Sequence, residues 1–213
     1  MIHFDATKID SLDKSYRRNL INSVQGVKPV NLIGTKNKDG AENLAIFSSI
    51  IHLGANPSLI GFIQRPKSFF AHTYKNILET RFFTVNQVNK SILKKAHLTS
   101  ARFEKEISEF EICGLESEYK NEFFAPYVQE SFVQIGVKFL QEIPIELNGT
   151  RLIIGEIQHI FIKENSIDIE GNLNPIENQS VGVNGLESYF EYGELERFPY
   201  AKANDILNQQ KIN

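Results

Sequence analysis

The sequence predicts a mainly β protein with a few helices, folded as a single-domain barrel of the Greek-key type. Three observations point there. Short apolar runs recur along the chain with turn residues between them, two short helical segments sit among those runs, and no motif repeats at a period of roughly 20–50 residues. Regular strand–helix alternation would instead predict a Rossmann sheet, and a fixed period a solenoid.

The elements follow in order. Asp10, Ser11 and Asp13 precede Tyr16, Leu20, Ile21 and Val24 at helical spacing, with Gly26 as a stop, so one helix is expected over residues 11–24, packed on the barrel. Val30–Thr35 and Asn43–Ser48 flank Asn37-Lys38-Asp39-Gly40, a hairpin signal because glycine accepts positive φ at no steric cost. Leu59–Ile63 is a further strand, ended at Arg65-Pro66 because proline has no N–H to give to a ladder. Thr73 is expected to cap a short helix reaching Leu78. Arg81–Val88 reads as a strand through Phe82, Phe83 and Val85, after which Asn89 caps a helix carrying Ile92, Leu93 and Ala96. Residues 99–109 are polar and show no clear period. Ser131–Leu147 and Thr150–Ile162 are long β runs joined by Asn148-Gly149, the strongest short hairpin signal in the chain. Beyond Asn172, glycines at 182, 185 and 193 punctuate short segments that end in an aromatic cluster of Tyr189, Phe190, Tyr192, Phe198 and Tyr200. Residues 1–27 are read as a helical extension, 28–201 as the barrel domain and 202–213 as a tail.

Composition narrows the function. With 23 Lys and Arg against 26 Asp and Glu the net charge is −3, which gives no reason to expect a nucleic-acid partner, and Lys90, Lys94 and Lys95 read as a solvated helix face. Cys113 is the single cysteine, so no internal disulfide and no thiolate pair for structural zinc is expected. The first ten residues lack the apolar core of a signal peptide, and no stretch suits a membrane span, so a cytoplasmic protein away from membranes is expected. There is no GxGxxG after a strand, no GxxxxGK[ST], no GxSxG and no HExxH among the five histidines. Neither a nucleophilic hydrolase nor a metal site is therefore expected.

One order of segments stands out: Asn43-Leu44-Ala45-Ile46-Phe47-Ser48-Ser49-Ile50, then Gly61-Phe62-Ile63-Gln64-Arg65-Pro66, then His72-Thr73-Tyr74-Lys75-Asn76-Ile77, then Thr84-Val85-Asn86. It continues through Ala96-His97, Ser108-Glu109-Phe110, Pro126-Tyr127-Val128, Leu152-Ile153-Ile154-Gly155-Glu156-Ile157 and Pro199-Tyr200-Ala201. This order resembles the flavin reductase-like family, whose fold is an FMN-binding split barrel. The resemblance implies an FMN-dependent oxidoreductase and a homodimer. NAD(P)H would give hydride to bound FMN, and electrons would pass to a second acceptor that the sequence does not name. It leaves open a non-catalytic flavin-binding electron carrier, and a reductase that uses flavin as a diffusible small-molecule substrate.

The residue types suit that chemistry. A flavin transfers hydride itself, so the protein supplies binding, orientation and electrostatics, and no nucleophile is needed. In the block Asn43, Leu44, Ala45, Ser48, Ser49 and Ile50, the serines offer hydroxyls and main-chain N–H groups to a ribityl chain or phosphate, while the Asn43 amide can meet both edges of the ring. Arg65 has a planar fork suited to phosphate, and a helix start near Thr73 adds main-chain donors. Asn76 is a weaker candidate on the same helix, His97 a candidate catalytic donor near the flavin or nicotinamide, and Tyr200 or Phe198 a candidate stacking ring. Each also has a plainer reading: strand-end hydrogen bonding for the serines, a surface ion pair for Arg65, a cap for Thr73, a packed boundary residue for His97 and core packing for the aromatics.

Overall fold

The computed structural model describes residues 1–66, 71–198 and 202. The chain opens with two helices, α1 (Ala6–Ser11) and α2 (Lys14–Ser23), where one was expected. Asp13 explains the break: its carboxylate accepts from the N–H groups of Ser15 and Tyr16 at 2.8 and 3.1 Å, so it begins a helix and cannot lie inside one. Neither helix contains a buried residue, and Tyr16, Ile21 and Val24 are exposed, so the expected packing on the barrel is not made.

The strands are β1 (Lys28–Pro29), β2 (Asn31–Lys36), β3 (Glu42–Phe47), β4 (Ile50–Ala55), β5 (Ser58–Gln64), β6 (Phe82–Gln87), β7 (Ser117–Glu118), β8 (Tyr127–Val128), β9 (Val133–Ile145), β10 (Thr150–Ile162), β11 (Val181–Asn184) and β12 (Ser188–Glu191). Between them lie α3 (His72–Thr80), α4 (Leu93–Leu98) and α5 (Glu109–Ile112), with a 3₁₀ turn at Lys90–Ile92 leading into α4. The two glycine turns form as expected, Gly40 at φ 94 and Gly149 at φ 71, and the Asn89 side chain accepts from the Ser91 N–H as the cap of the 3₁₀ turn. β4 was not foreseen. Among the described residues no helix is long and apolar enough to cross a membrane.

β2 to β6, β9 and β10 make one antiparallel sheet in the order β3-β2-β6-β9-β10-β5-β4. This order forces the sheet to roll up. β3 and β4 stand at its two ends, six strand spacings apart, which would be about 29 Å in a flat sheet. Only Ser48 and Ser49 join them, and three Cα steps span at most about 11 Å. The sheet must therefore curve until its edges meet, and the two serines are the seam of the barrel. Phe62 of β5 sits in the interior, edge-on to Phe47 of β3 at 5.0 Å and to Phe83 of β6 at 5.7 Å between ring centroids. Ile33, Val85, Val137 and Ile153 complete that core. A second core lies outside β2 and β3, where Leu32 and Leu44 pack with Val88, Ala96, Phe110 and Val181, so α4, α5 and the small β1-β11-β12 sheet cover that flank. β2 thus buries both its faces, with Asn31 to Thr35 all buried.

Candidate functional site

The seam is held by a side chain. Ser49 Oγ accepts from the N–H of Ile63 at 3.2 Å and donates to the carbonyl of the same residue at 3.3 Å, so its hydroxyl stands in for a ladder partner at the end of β5. Ser48 occupies the bend beside it, and Ile50 begins β4 and packs on the barrel core. At the other end of β3, Asn43 is buried and its Nδ2 donates to Thr73 Oγ1 at 3.0 Å. One turn along α3, Asn76 Nδ2 donates to Thr35 Oγ1 at 3.1 Å. Thr73 and Asn76, three residues apart, therefore share the helix face that stitches α3 to the β2–β3 hairpin. Thr73 is not the helix cap as expected: the cap position is Ala71, which makes no side-chain cap bond, and the Thr73 hydroxyl is committed to Asn43. Of the rest of the block, Leu44 is fully buried in the outer core and Ala45 is half-buried on β3.

Arg65 follows β5, is exposed, and joins none of the ion pairs among the described residues. Its neighbour Gln64 is buried. Gln64 Nε2 donates to the Arg65 carbonyl at 3.3 Å, but its Oε1 has no hydrogen-bond partner among the described residues. Across the ladder from Gln64 stands Arg151 of β10, whose Nε is 3.4 Å from Glu142 and whose guanidinium lies 5.6 Å from the Tyr74 ring centroid. Tyr74 Oη donates to Glu142 at 2.7 Å, and burial, reinforced by that carboxylate, raises the phenol above its ordinary pKa. Contacts thus run without a gap from Arg65 and Gln64, through Arg151 and Tyr74, to Thr73 and Asn43. Sequence reading assigned no role to Gln64, Tyr74, Glu142 and Arg151, because they come from β5, α3, β9 and β10 and meet only in the folded chain.

His97 is placed apart from this chain of contacts. It lies half-buried on α4 with Nδ1 2.8 Å from Tyr189 Oη, the two rings edge to face, so the pair ties α4 to β12. Burial, with Glu187 adding to it, raises the Tyr189 hydroxyl above its ordinary pKa. Tyr200 lies outside the described residues, and Phe198 is exposed.

An antiparallel barrel with a two-residue seam, flanked by a helix whose start bonds to the seam-bearing strand, invites comparison with known proteins. A family model described as a flavin reductase like domain matches residues 26–175. The chain belongs to the flavin reductase-like family. A crystal structure from Shewanella frigidimarina NCIMB 400, described as a flavin reductase with a split barrel domain, is 42% identical with a TM-score of 0.91, and the match covers 94% of this chain and all of that one. The flavoredoxin of Desulfovibrio vulgaris (Miyazaki F) shares the fold at a TM-score of 0.71 and 22% identity, over 82% of this chain and 92% of its own. An uncharacterised protein of Aquifex aeolicus is 29% identical over 172 residues, 79% of this chain and 87% of its own. The flavin reductase-like fold is therefore the split barrel expected from the sequence, and the seam described above is where its two sheet edges meet.

The residues present fit a flavin on one observation. Gln64 Oε1 is a buried acceptor with no donor, next to an exposed arginine and one residue from the partner of Ser49. A flavin ring N–H or a ribityl hydroxyl is a donor of the kind this oxygen lacks.

Proposed function

We propose that this chain is an FMN-dependent oxidoreductase that takes hydride from NADH or NADPH onto bound FMN and passes the electrons to a second acceptor. The unpartnered Gln64 oxygen beside Arg65 and Ser49 carries this reading, since a buried acceptor without a donor costs about 1–3 kcal/mol unless a ligand supplies one. FMN supplies the two-electron chemistry itself when bound, which accounts for the absence of any nucleophile motif. The chain's own residues bind and orient. Arg65 offers its fork to the phosphate, and Ser48 and Ser49 offer hydroxyls and main-chain N–H groups at the seam. Asn43, fixed by Thr73, lines β3 with Leu44 and Ala45, and Ile50 with Phe47 closes the apolar side. Asn76 acts one turn back by holding α3 in place.

The protein is proposed to work as a homodimer in the cytoplasm on small-molecule substrates, with no nucleic acid or membrane partner. One surface supports the dimer. Cross-strand register puts Ile51, Gly61, Ile63, Leu152 and Ile143 on one face of β4, β5, β10 and β9, opposite the face that fills the barrel, and Ile51 and Ile143 are exposed there. A sheet apolar on both faces requires a cover on the second. A monomer by light scattering with a full complement of FMN would remove the dimer and leave the flavin.

A second reading, a flavin-bound electron carrier without a nicotinamide pocket, draws support from His97, whose Nδ1 is engaged by Tyr189. The visible spectrum of desalted protein, followed anaerobically as NADH and then NADPH are added, decides. Flavin bands that bleach with either nucleotide are expected. Bands that bleach only with dithionite would select the carrier, and a colourless protein that fails to bind added FMN would overturn the proposal.

A further inference from the structure

We propose that Glu109 is a positioning residue for flavin binding: its carboxyl oxygen holds the main chain of β3 at Leu44, inside the block that carries the candidate flavin contacts. The functional half of this inference rests on the flavin reading above; the structural half does not.

β3 is an edge strand, paired with β2 on one side only. Its outward N–H groups have no strand to meet, yet Leu44 is fully buried, and a buried main-chain donor must find an acceptor. Glu109 provides it. The residue opens α5, is 6% exposed, and its Oε2 accepts from the Leu44 N–H at 3.0 Å. No Lys, Arg or His forms an ion pair with it among the described residues. A carboxyl buried among Leu44, Phe110 and Cys113 without a cation is an expensive way to satisfy one amide. Burial accordingly lifts it above the ordinary carboxyl range.

Its place on the strand gives that cost a purpose. β3 and the seam after it are held to other parts of the chain by side-chain bonds at four points: Glu42 to Tyr119, Asn43 to Thr73 of α3, the Leu44 main chain to Glu109 of α5, and the Ser49 hydroxyl to the Ile63 main chain of β5. Among the described residues, Glu109 is the one side chain from another element that grips the main chain of β3 itself. Losing it would leave Asn43, Leu44 and Ala45 attached to the sheet but free to shift along its edge.

The test uses the full chain with Glu109→Ala, Glu109→Gln and Glu109→Asp, and Cys113→Ala as a control at the C-cap of the same short helix. Two quantities are read: hydrogen exchange at the Leu44 amide, and the dissociation constant for added FMN. Glu109→Ala is expected to speed Leu44 exchange and to weaken FMN binding, each by about tenfold, as for the loss of one buried hydrogen bond, while Glu109→Gln, which keeps an acceptor oxygen, stays within about threefold of wild type on both. Cys113→Ala is expected to leave the FMN constant unchanged whatever it does to stability. Should Glu109→Ala fail to fold, Glu109→Asp takes its place, since a carboxyl drawn back by one methylene no longer reaches Leu44. Wild-type FMN affinity in Glu109→Ala or Glu109→Asp, or a Glu109→Gln protein as weak as Glu109→Ala, overturns the proposal. A wild-type chain that binds no FMN would defeat the flavin reading instead, and unchanged Leu44 exchange in Glu109→Ala would then defeat the role of Glu109 independently.

Discussion

Closure of the barrel can be measured through one pair of side chains. In a flat sheet Phe47 on β3 and Phe62 on β5 would stand five strand spacings apart, about 24 Å, and would not interact. In the rolled sheet their rings are edge to face at 5.0 Å. Phe47→Leu, Phe62→Leu and the double variant form a cycle in which the coupling energy reports that contact alone. Leucine keeps much of the volume, so each single change is expected to cost about 1–2 kcal/mol, Phe62 more than Phe47 because Phe62 is fully buried and also meets Phe83. The expected coupling is about 0.5–1.5 kcal/mol, the usual worth of an edge-to-face pair beyond its buried area. Urea unfolding followed by tyrosine fluorescence and far-ultraviolet circular dichroism supplies the four stabilities, provided the m-values agree. Strict additivity, within about 0.3 kcal/mol, would refute the argument from the two-residue seam, because residues that far apart in an open sheet have nothing to share.

Four further outcomes are expected. Tyr127 is fully buried with its hydroxyl unpartnered among the described residues, so Tyr127→Phe should raise stability by about 1 kcal/mol in urea. Gly136→Ala should lower stability by about 1–3 kcal/mol, because its Cβ would overlap that hydroxyl, and less in the Tyr127→Phe background; equal losses in both backgrounds would sink the explanation. The Asp168 carboxylate is held down to about 2 by the Asn172 main-chain N–H and by Arg197, against an ordinary 3.8. A depressed carboxyl stabilises the fold above its unfolded value and loses that contribution as pH falls, so thermal melts of wild type should lose stability between pH 3.8 and about 2 more steeply than those of Asp168→Asn. Finally, Arg65→Ala and Thr73→Val should each weaken FMN binding by about tenfold or more, Arg65→Ala with the steeper salt dependence; a titration showing wild-type affinity in both would move the flavin elsewhere.

What the sequence disclosed was what is local. Gly40, Gly149 and Asn89 announce their turns and cap because the required φ or side-chain acceptor belongs to one or two residues. β4 escaped because only Ser48 and Ser49 separate it from β3, with no glycine or proline turn to announce a second strand. The strand order was illegible for another reason: β6 pairs with β9 and β5 with β10 across long stretches of chain, and no local pattern names such a partner. At the site the residue types were readable but not their bonds. Thr73 looks like a cap until Asn43, thirty residues earlier, is found to hold its hydroxyl. Gln64 and Glu109 stood within the segments that carry the family resemblance but showed no role of their own, since their interest lies in being buried, and burial is a property of the whole fold.

The strand order has a further consequence during synthesis. The β9–β10 hairpin stands between β3-β2-β6 on one side and β5-β4 on the other. When the ribosome has released the first hundred residues, both flanks exist and are already tied together at Ser48 and Ser49, but neither can pair with the other. Phe62 and Phe83 must then wait in water, or under a chaperone, for residues 133–162 to emerge. The last hairpin of the large sheet to arrive is its keystone, and a pause in translation ahead of Val133 would leave the nascent chain at its most adhesive.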